Sequence, residues 1–562
     1  MRSINCQIHG SRVHGAALTL LVVLMVAVRP QAAPDASPIS SDDLKEWLGY
    51  IASDELQGRA NYSAGLGLAA AYIGDHLRAW GVRPAGDRGS YLQTVRVLGV
   101  RSSSRSSVTI RVGAETRTFK DGEGVVFPPN AGGRQTVTLD RVEFVGYGLE
   151  LPGAHTAFSS RDVNGAGVVW LGSKGPKDVD AQYYRRLLDD RSRLAIEGWH
   201  AAATITEPPP PDSARGARET SRRANAPPVD FTTSERLDNA VVPAITASDA
   251  FLAFLFSRAP TPYQELKRRS EAQEPLPSFP LDGVRITFNV DHQYEVVRTQ
   301  LTQNVVGIVE GSDARLRSTY VAFGAHYDHL GYADREVSSS GTRPAPLFGR
   351  TSPDAPDDRV WNGADDDGSG TVALMALAKA FATAPRPKRS VLFVWHSGEE
   401  LGTYGSRYFA DYPTVPLDSI VAVMNIDMIG RNRDDKTSES NTVYLVGSDR
   451  ISTELDEITR AANAASSHPL TLNYELNDPS DPEEIYYRSD HHSYAVKGIP
   501  VVFLTTGLHP DYHSNTDEVA RILFDKLTRI AQLAHEAGAR IANLDHPPLR
   551  DNKGPRPRHD AK

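Results

Sequence analysis

The chain has 562 residues, of which 40% are hydrophobic and 23% are charged, and its formal net charge is −9. This balance is typical of a globular protein with enough apolar material for two domains, and the mild acidity argues against nucleic acid as the main partner. Cys6 is the only cysteine, so a mature chain that lacks its first residues has neither an intrachain disulfide nor a thiol nucleophile.

Residues 1–33 have the pattern of a signal peptide. Arg2 and Arg12 form a basic front, the apolar run Ala16–Val28 follows, and the small residues of Gln31–Ala33 resemble a cleavage site. The apolar run is short for a membrane span, although an uncleaved anchor is the alternative interpretation. We therefore expect export to the periplasm or the extracellular space, without stable membrane insertion.

Residues 34–100 are predicted to begin the main domain with two helices. Ser40 can cap a first helix, because apolar residues recur at helical spacing from Leu44 to Ile51. A second helix is predicted from Leu66 to Trp80, and Gly81 is a suitable end for it.

Residues 101–296 have a different pattern, in which short β-like runs alternate with turns. The predicted strands are Val108–Val112, Thr136–Leu139, Val142–Val145 and Val168–Leu171. The stretch 207–228 is dense in Pro, Arg, Ala and Ser, which predicts a disordered loop. The sequence therefore predicts a β-rich insert with its own core.

Residues 297–545 repeat a strand–loop–helix pattern. The predicted strands are Tyr320–Phe323, Ser390–Trp395, Ile420–Ile426, Thr442–Val446 and Ile499–Leu504. The predicted helices are Thr371–Phe381, Ser452–Ala465 and Val519–Ala542. Near-continuous apolar strands separated by helices indicate an α/β fold, with three α/β/α layers and a mostly parallel sheet covered on both faces. The Pro-rich, basic tail 546–562 is predicted to be disordered.

Five short motifs with acids or histidines fall at or near the ends of apolar runs. They are His326-Tyr-Asp328, Asp365-Asp366-Asp367-Gly-Ser-Gly, Glu399-Glu400, Asn425-Ile-Asp427 and Asp511-Tyr512-His513. Sites in open α/β sheets form beyond the carboxyl ends of the strands, so these motifs are expected to meet. The long polar stretch 331–361 is expected to overhang the site.

The motifs supply the oxygen and imidazole donors that two zinc ions would need. A hydrolytic dizinc centre also needs a free carboxylate that takes a proton from water. Glu399 and Glu400 suit a division between base and ligand, because adjacent residues at a strand exit point in different directions. The cluster Asp365–Asp367 could cap a helix, bridge two metals, or do both. Asp328 could fix the tautomer of His326.

Other ligands and other catalytic classes fit less well. Five further histidines fall outside the strongest pattern and are less attractive as ligands: His329, His396, His491, His492 and His509. The sequence has no G-x-S-x-G elbow, no H-E-x-x-H helix and no Walker-type loop.

At these motifs the chain resembles the co-catalytic zinc exopeptidases of the aminopeptidase Y and glutamate carboxypeptidase family. The resemblance covers roughly residues 40–100 and 300–540. It implies five metal ligands: His326 and Asp427 for one ion, Glu400 and His513 for the other, and Asp366 as the bridge between them.

The same resemblance assigns three further roles. Glu399 matches the general base, Asp328 matches the acid that orients a histidine, and Tyr512 matches a tyrosine that steadies the tetrahedral intermediate in some members. The segment Val145–Leu149 is similar to part of the protease-associated domain that some members carry as an insert, and Asp54–Arg59 is similar to the opening of those members.

These patterns predict an exported dizinc metallopeptidase that acts on peptides, most simply an aminopeptidase with two Zn²⁺ per chain. Two alternatives stay open. One is a carboxypeptidase on the same fold, which needs a cation such as Arg488 for the substrate carboxylate. The other is a peptide-binding protein with an idle metal site. Glutaminyl cyclases with one zinc belong to the same family, and the residues do not separate zinc from manganese or cobalt.

Overall fold

Two ten-stranded sheets organise the chain. The computed structural model describes residues 38–208, 229–233, 237, 239–333 and 349–551. The predicted signal peptide, most of the predicted loop 207–228, the middle of the stretch 331–361 and the last eleven residues of the predicted tail lie outside the described residues. Within the described residues, none of the helices combines the length and the apolarity that crossing a membrane requires.

The first sheet contains the strands that carry the motifs. In spatial order its strands are Asp230–Thr233, Leu92–Ser104, His292–Val309, Ser390–His396, Tyr320–His326, Ile420–Ile426, Val501–Thr505, Thr442–Val446 and Thr471–Asn473, with Arg83–Pro84 paired to His292–Val309. The four strands from Ser390–His396 to Val501–Thr505 run parallel to one another. The strands from Asp230–Thr233 to Ser390–His396 pair antiparallel, as does Thr442–Val446 with Val501–Thr505. The sheet is therefore mixed, with a parallel centre.

Both faces of this sheet are covered, which confirms the predicted α/β class with three layers. Alternate residues of a strand point to opposite faces: Val321 and Phe323 join one apolar cluster, whereas Ala322 joins the other. The helices on the first face are Ser41–Ile51, Ala64–Ala79, Gly370–Thr383, Thr453–Ala464 and Phe524–Asn543. The helices on the second face are Tyr404–Asp411 and His491–Ala495. Because helices cover both faces of the sheet, the central strands are apolar at almost every position.

The last helix begins later than the predicted Val519. Residues Val519–Arg521 form a separate 3-10 turn, and the α-helix runs from Phe524 to Asn543. Ile522 between them is extended, and the Leu523 N–H donates to the carbonyl of Gly430 at 2.8 Å. This contact explains why the apolar spacing, which continues through the turn, does not produce one continuous helix.

The second sheet is built by the β-rich region, which we define as residues 105–291. Its strands in spatial order are Ser278–Pro280, Val142–Val145, Gly167–Trp170, Ala203–Thr206, Ala244–Ala247, Gly124–Val126, Glu115–Asp121, Ser107–Val112, Val284–Val290 and Gln135–Leu139. Its helical elements are Arg185–Asp189, Arg191–Arg193, Leu194–Gly198, Asp249–Leu255 and Tyr263–Glu271. A separate apolar cluster fills it, including Phe144, Phe251 and Phe288.

Two long antiparallel strands connect the β-rich region to the first sheet. Leu92–Ser104 pairs with His292–Val309 along most of its length, and the predicted insert boundaries at 101 and 296 fall inside this ribbon. One segment from within the β-rich part of the sequence, Asp230–Thr233, adds an edge strand to the first sheet. The division into domains at residues 101 and 296 stays a prediction.

Candidate metal centre

The parallel centre of the first sheet brings the predicted site residues together at its carboxyl edge. His326 is the last residue of its strand, and Asp427 follows directly after the neighbouring strand. Glu399 and Glu400 lie in the turn after Ser390–His396, and His513 lies in the loop after Val501–Thr505. Because parallel strands end at the same edge, four stretches that are distant in sequence converge on one point.

Asp366 lies at the centre of this cluster, and its two carboxylate oxygens face different partners. Oδ1 lies 3.3 Å from Nε2 of His326, which in turn lies 3.7 Å from Oδ1 of Asp427. Oδ2 lies 3.3 Å from Nε2 of His513, which lies 3.0 Å from Oε2 of Glu400. The structure thus brings all five predicted ligands into two groups that share one carboxylate.

The donor atoms are spaced as ligands of shared cations would be. Two atoms that each lie about 2.0–2.2 Å from one zinc ion are about 3.3–3.6 Å apart in tetrahedral geometry. Asp366 Oδ2 and Glu400 Oε1 are buried, and the groups that face them are imidazole nitrogens, of His513 at 3.3 Å and of His329 at 2.8 Å. Buried carboxylates and imidazoles that face one another are the donor types of zinc sites, so this cluster fits metal ions of the zinc type.

The two aspartates beside Asp366 have other partners. Asp367 accepts hydrogen bonds from the backbone N–H groups of Gly370 at 2.9 Å, Met428 at 3.2 Å and His326 at 3.1 Å. Asp365 accepts from the Gly430 N–H at 2.6 Å. Asp367 also lies close to His326 and Asp427, but both of its oxygens accept from backbone N–H groups, whereas those of Asp366 face the two donor groups. The cluster therefore both caps the helix and faces the site.

His329 is a member of the site that the sequence pattern did not select. Its side chain is fully buried, and Nδ1 lies 2.8 Å from Oε1 of Glu400 and 3.9 Å from Oδ2 of Asp366. His329, Asp366 and Glu400 form a group of potential ligands. His329 lies three residues after His326, and only the turn between them reveals that both rings face the same centre.

Asp328 differs from its predicted role in one detail. Nδ1 of His326 lies 3.1 Å from the backbone carbonyl oxygen of Asp328, whereas the Asp328 carboxylate is 3.7 Å away. The carboxylate instead accepts from the backbone N–H of Glu399 at 3.2 Å. The carbonyl therefore orients the His326 ring, and the carboxylate positions the turn that carries Glu399.

Opposite charges shift the ionisation of the ligand groups. Burial lowers the pKa of His513, but the carboxylates of Glu400 and Asp366 outweigh it and raise that pKa to about 10. Burial raises the pKa of Glu400, but the imidazoles of His513 and His329 outweigh it and lower that pKa to about 2. A metal ion must displace protons from such imidazoles, so metal affinity should fall as the pH is lowered.

Glu399 behaves differently from its neighbour. Burial raises the pKa of the Glu399 carboxyl well above its ordinary value, and the negative charge of Glu400 adds to this. Glu399 lines a small cavity of about 40 Å³ together with His326, Asp366 and Asp427. It also lines a larger cleft of about 970 Å³ together with Glu400 and His513. A carboxylate between the metal ligands and an open cleft suits a proton acceptor.

Supporting contacts hold the ligands in place. Oδ2 of Asp427 accepts from the hydroxyl of Ser489 at 2.6 Å, and that hydroxyl accepts from the amide of Asn425 at 2.9 Å. The backbone N–H of Arg350 donates to the carbonyl of His513 at 2.7 Å. The described end of the stretch predicted to overhang the site thus touches the loop that carries His513.

Arg59 is a second residue whose role became visible only in the structure. Its buried guanidinium donates to the carbonyls of Tyr327 at 3.0 Å, Ile51 at 2.6 Å, Asn362 at 2.7 Å and Gly363 at 3.0 Å. These contacts join the turn after His326 to the loop before Asp365. The segment Asp54–Arg59 is noted in the sequence for its resemblance only, because the mostly polar neighbours of Arg59 give no local signal that its side chain is buried.

Gly363 permits the close packing of this loop. Its φ is 56°, and a Cβ atom there would lie 2.3 Å from the carbonyl oxygen of Asp366 and 2.4 Å from the ring of His329. A larger residue would therefore push apart the bridging aspartate and the additional histidine.

The other four histidines lie outside the cluster, as expected. His509 faces Asp365 at 3.3 Å, and His396 faces Asp490 at 3.4 Å. His492 pairs with Glu197 of the β-rich region at 3.0 Å, and His491 stacks on the Phe503 ring.

Family comparison identifies the part of the chain that carries these residues. Residues 304–538, which we call the M28 region, match the model of Peptidase family M28. This M28 region contains every candidate ligand, Glu399 and Tyr512, and it agrees with the exopeptidase resemblance of the motifs. The narrower aminopeptidase Y and glutamate carboxypeptidase group and the protease-associated insert stay predictions.

Curated relatives match parts of the chain. A probable leucine aminopeptidase 2 of Aspergillus fumigatus is 29% identical over 254 residues, 44% of this chain and 42% of its own length. A probable zinc metalloprotease of Pyrenophora teres f. teres is 29% identical over 168 residues, 30% of this chain and 29% of its own. The matched segments thus span well under half the length of these relatives.

The chain also aligns with solved structures at low identity and low TM-score. A zinc aminopeptidase from Bacillus subtilis shows a TM-score of 0.41 and 17% identity, with coverage of 89% of this chain and 95% of that one. An aminopeptidase from Aneurinibacillus sp. strain AM-1 shows a TM-score of 0.42 and 16% identity, with coverage of 89% and 93%.

Proposed function

We propose that this protein is a dizinc metallopeptidase that removes N-terminal residues from peptides. The observation that carries the proposal is the position of Asp366, whose two oxygens face two separate donor groups. Export of the protein and the number of zinc ions belong to this proposal. The names of the curated relatives, zinc metalloprotease and leucine aminopeptidase, are consistent with it.

The residues define which groups would hold each ion. His326 and Asp427 would hold one zinc, Glu400 and His513 the other, and Asp366 both. His329 would complete or orient the second group through its contact with Glu400. Bound zinc ions would acidify a water molecule and polarise the scissile carbonyl.

Glu399 and Tyr512 supply the remaining chemistry. Glu399 would take the proton of the attacking water at its carboxylate and pass it to the leaving amine. The Tyr512 hydroxyl accepts a hydrogen bond from Nη2 of Arg488 at 3.0 Å, which leaves its proton free to donate to the oxygen of the tetrahedral intermediate. Tyr512 also stacks on the His513 ring, with centroids 3.9 Å apart.

One feature favours an aminopeptidase over a carboxypeptidase. Arg488, the candidate carboxylate binder, is committed to Tyr512 and to Glu483, whose carboxylate lies 3.0 Å from it. A substrate carboxylate would have to compete with Glu483 for it.

One assay separates the three candidate activities. A leucyl dipeptide would be compared with its N-acetylated and its C-amidated forms, each at saturating zinc. We expect hydrolysis of the free and the amidated peptides, and a loss of at least about 100-fold on acetylation, as when a site built for a polar group meets an analogue that lacks it. Loss on amidation instead would indicate a carboxypeptidase. Binding of all three peptides without hydrolysis would indicate a peptide-binding protein.

A further inference from the structure

The β-rich region contacts the M28 region directly beside the candidate site. Residues 185–198 of the β-rich region, which we call the docking segment, face residues 483–492, which we call the support segment. Arg186 pairs with Glu483 at 3.0 Å, Arg193 pairs with Glu484 at 2.8 Å, and Glu197 pairs with His492 at 3.0 Å. The Arg193 guanidinium also lies 4.7 Å from the centre of the Tyr487 ring.

The contact between Arg193 and Glu484 is the most buried of the three with the support segment. The Glu484 side chain is only 2% exposed, whereas both partners in the pair between Arg186 and Glu483 are more than 40% exposed. Burial and the neighbouring Asp190, which also pairs with Arg193 at 2.8 Å, raise the pKa of Glu484 to about 8, so a buried hydrogen bond rather than a full ion pair joins Arg193 to Glu484 near neutral pH. Loss of a buried hydrogen-bond donor is costly, whereas an exposed pair contributes little, and Arg193 therefore links the docking segment to the support segment.

The support segment carries groups that act on the site. Arg488 donates to the Tyr512 hydroxyl at 3.0 Å, and Ser489 donates to the Asp427 carboxylate at 2.6 Å. Glu483 accepts from Arg488 at 3.0 Å and also pairs with Arg186. A continuous chain of contacts thus leads from the β-rich region through Glu483 and Arg488 to the hydroxyl of Tyr512.

We propose that the docking segment holds Arg488 in the position from which it donates to Tyr512. The β-rich region, which lines part of the larger cleft, would then also influence kcat. Arg488 is then a positioning residue, and Arg193 acts through it. This inference rests on the proposed function, because Tyr512 has a role only if the site hydrolyses peptides.

A double-mutant cycle tests the coupling. Removal of one oxyanion donor costs about 10²–10³ in kcat, so Tyr512→Phe should show a loss of that size. Arg193→Ala should lower kcat about 10-fold in the wild-type background and less than about 2-fold in the Tyr512→Phe background, with KM for a small anilide and zinc content unchanged. Equal fold losses in both backgrounds, or no loss in either, would overturn the proposal.

Two variants control for general damage. Arg268 of the β-rich region is also paired with two carboxylates, Glu265 at 2.9 Å and Glu274 at 3.0 Å, so Arg268→Ala removes an exposed, doubly paired arginine elsewhere and should leave kcat unchanged. Arg193→Lys retains the charge opposite Glu484 and should restore most of the rate. If Arg193→Ala does not fold, Arg186→Ala should show a smaller loss that again disappears in the Tyr512→Phe background.

Hydrogen exchange provides a readout that does not need activity. Arg193→Ala should speed exchange in residues 483–492, and Arg268→Ala should not. Unchanged exchange in Arg193→Ala would contradict the docking, whatever the activity. If exchange is faster in Arg193→Ala but the wild-type protein does not hydrolyse peptides, the docking would be supported and only the proposed function would be contradicted.

Discussion

The two large sheets share an arrangement of four adjacent parallel strands. In the first sheet these lie between Ser390–His396 and Val501–Thr505, and in the second between Val142–Val145 and Ala244–Ala247. In both, charged residues follow the strands at the carboxyl edge. The difference lies in what these charged residues contact.

At the edge of the second sheet the protein satisfies its own charges. Glu207, just after its strand, accepts from the backbone N–H groups of Gly172 at 2.9 Å and Ser173 at 3.2 Å. Arg191 donates to the carbonyls of Tyr147 and Gly172. At the edge of the first sheet Asp366 Oδ2 and Glu400 Oε1 instead face the imidazoles of His513 and His329. Parallel strands therefore create the opportunity for a site, and buried carboxylates that face imidazoles rather than backbone N–H groups mark where it is used.

The largest effect is expected at the bridging aspartate. Because Asp366 serves both donor groups, Asp366→Asn should leave at most one tightly bound zinc and abolish measurable hydrolysis. Asp365→Asn is the matched control, since that carboxylate contacts the Gly430 N–H and His509 and should retain two ions. The zinc content of the two purified variants tests this prediction. Zinc loss in Asp365→Asn with retention in Asp366→Asn would indicate that Asp365 is the bridging residue.

A smaller but still large effect is expected at Glu399. Glu399→Gln should keep both metal ions and lower kcat by about 10²–10⁴-fold, the usual range for loss of a general base. Glu400→Gln, the adjacent comparison, should instead lose metal. Steady-state kinetics and metal content on the same samples test this, and zinc loss in Glu399→Gln would make that residue a ligand rather than the base.

The smallest effect is expected at the corresponding edge of the second sheet. Glu207→Gln keeps an acceptor oxygen for the N–H groups of Gly172 and Ser173, so the free energy of unfolding should change by no more than about 1 kcal/mol. Zinc content and kcat should equal those of the wild type. If this variant lost metal or activity, the distinction between the two edges would fail.

Much of the fold could be predicted because both faces of the first sheet are buried. The run Ile420–Ile426 is apolar at every position except Asn425 and matches the observed strand. The helix boundary at Phe524 was missed because the apolar spacing continues through the preceding turn. The pairing of Asp230–Thr233 with the first sheet was missed because it joins distant segments, which local periodicity does not report.

The candidate site could be predicted where a residue type and a strand end coincided. His326 and Asp427 met both conditions, and the structure places them with the other three predicted ligands. His329 met only the condition of residue type, because its role depends on where the turn after His326 points. Arg59 met neither condition, because its role depends on where a buried side chain points. The carbonyl partner of His326 was also missed, since a backbone acceptor leaves no trace in residue identity.

The stoichiometry of zinc binding tests the central claim most directly. The metal-free wild-type protein would be titrated with Zn²⁺ and, after dialysis, its bound metal measured together with protein concentration. The arrangement around Asp366 predicts two ions per chain, with recovery of peptide hydrolysis as the sites fill. A protein that folds normally but retains no zinc, or that hydrolyses peptides equally well without any divalent metal, would contradict a dizinc centre at this edge of the sheet.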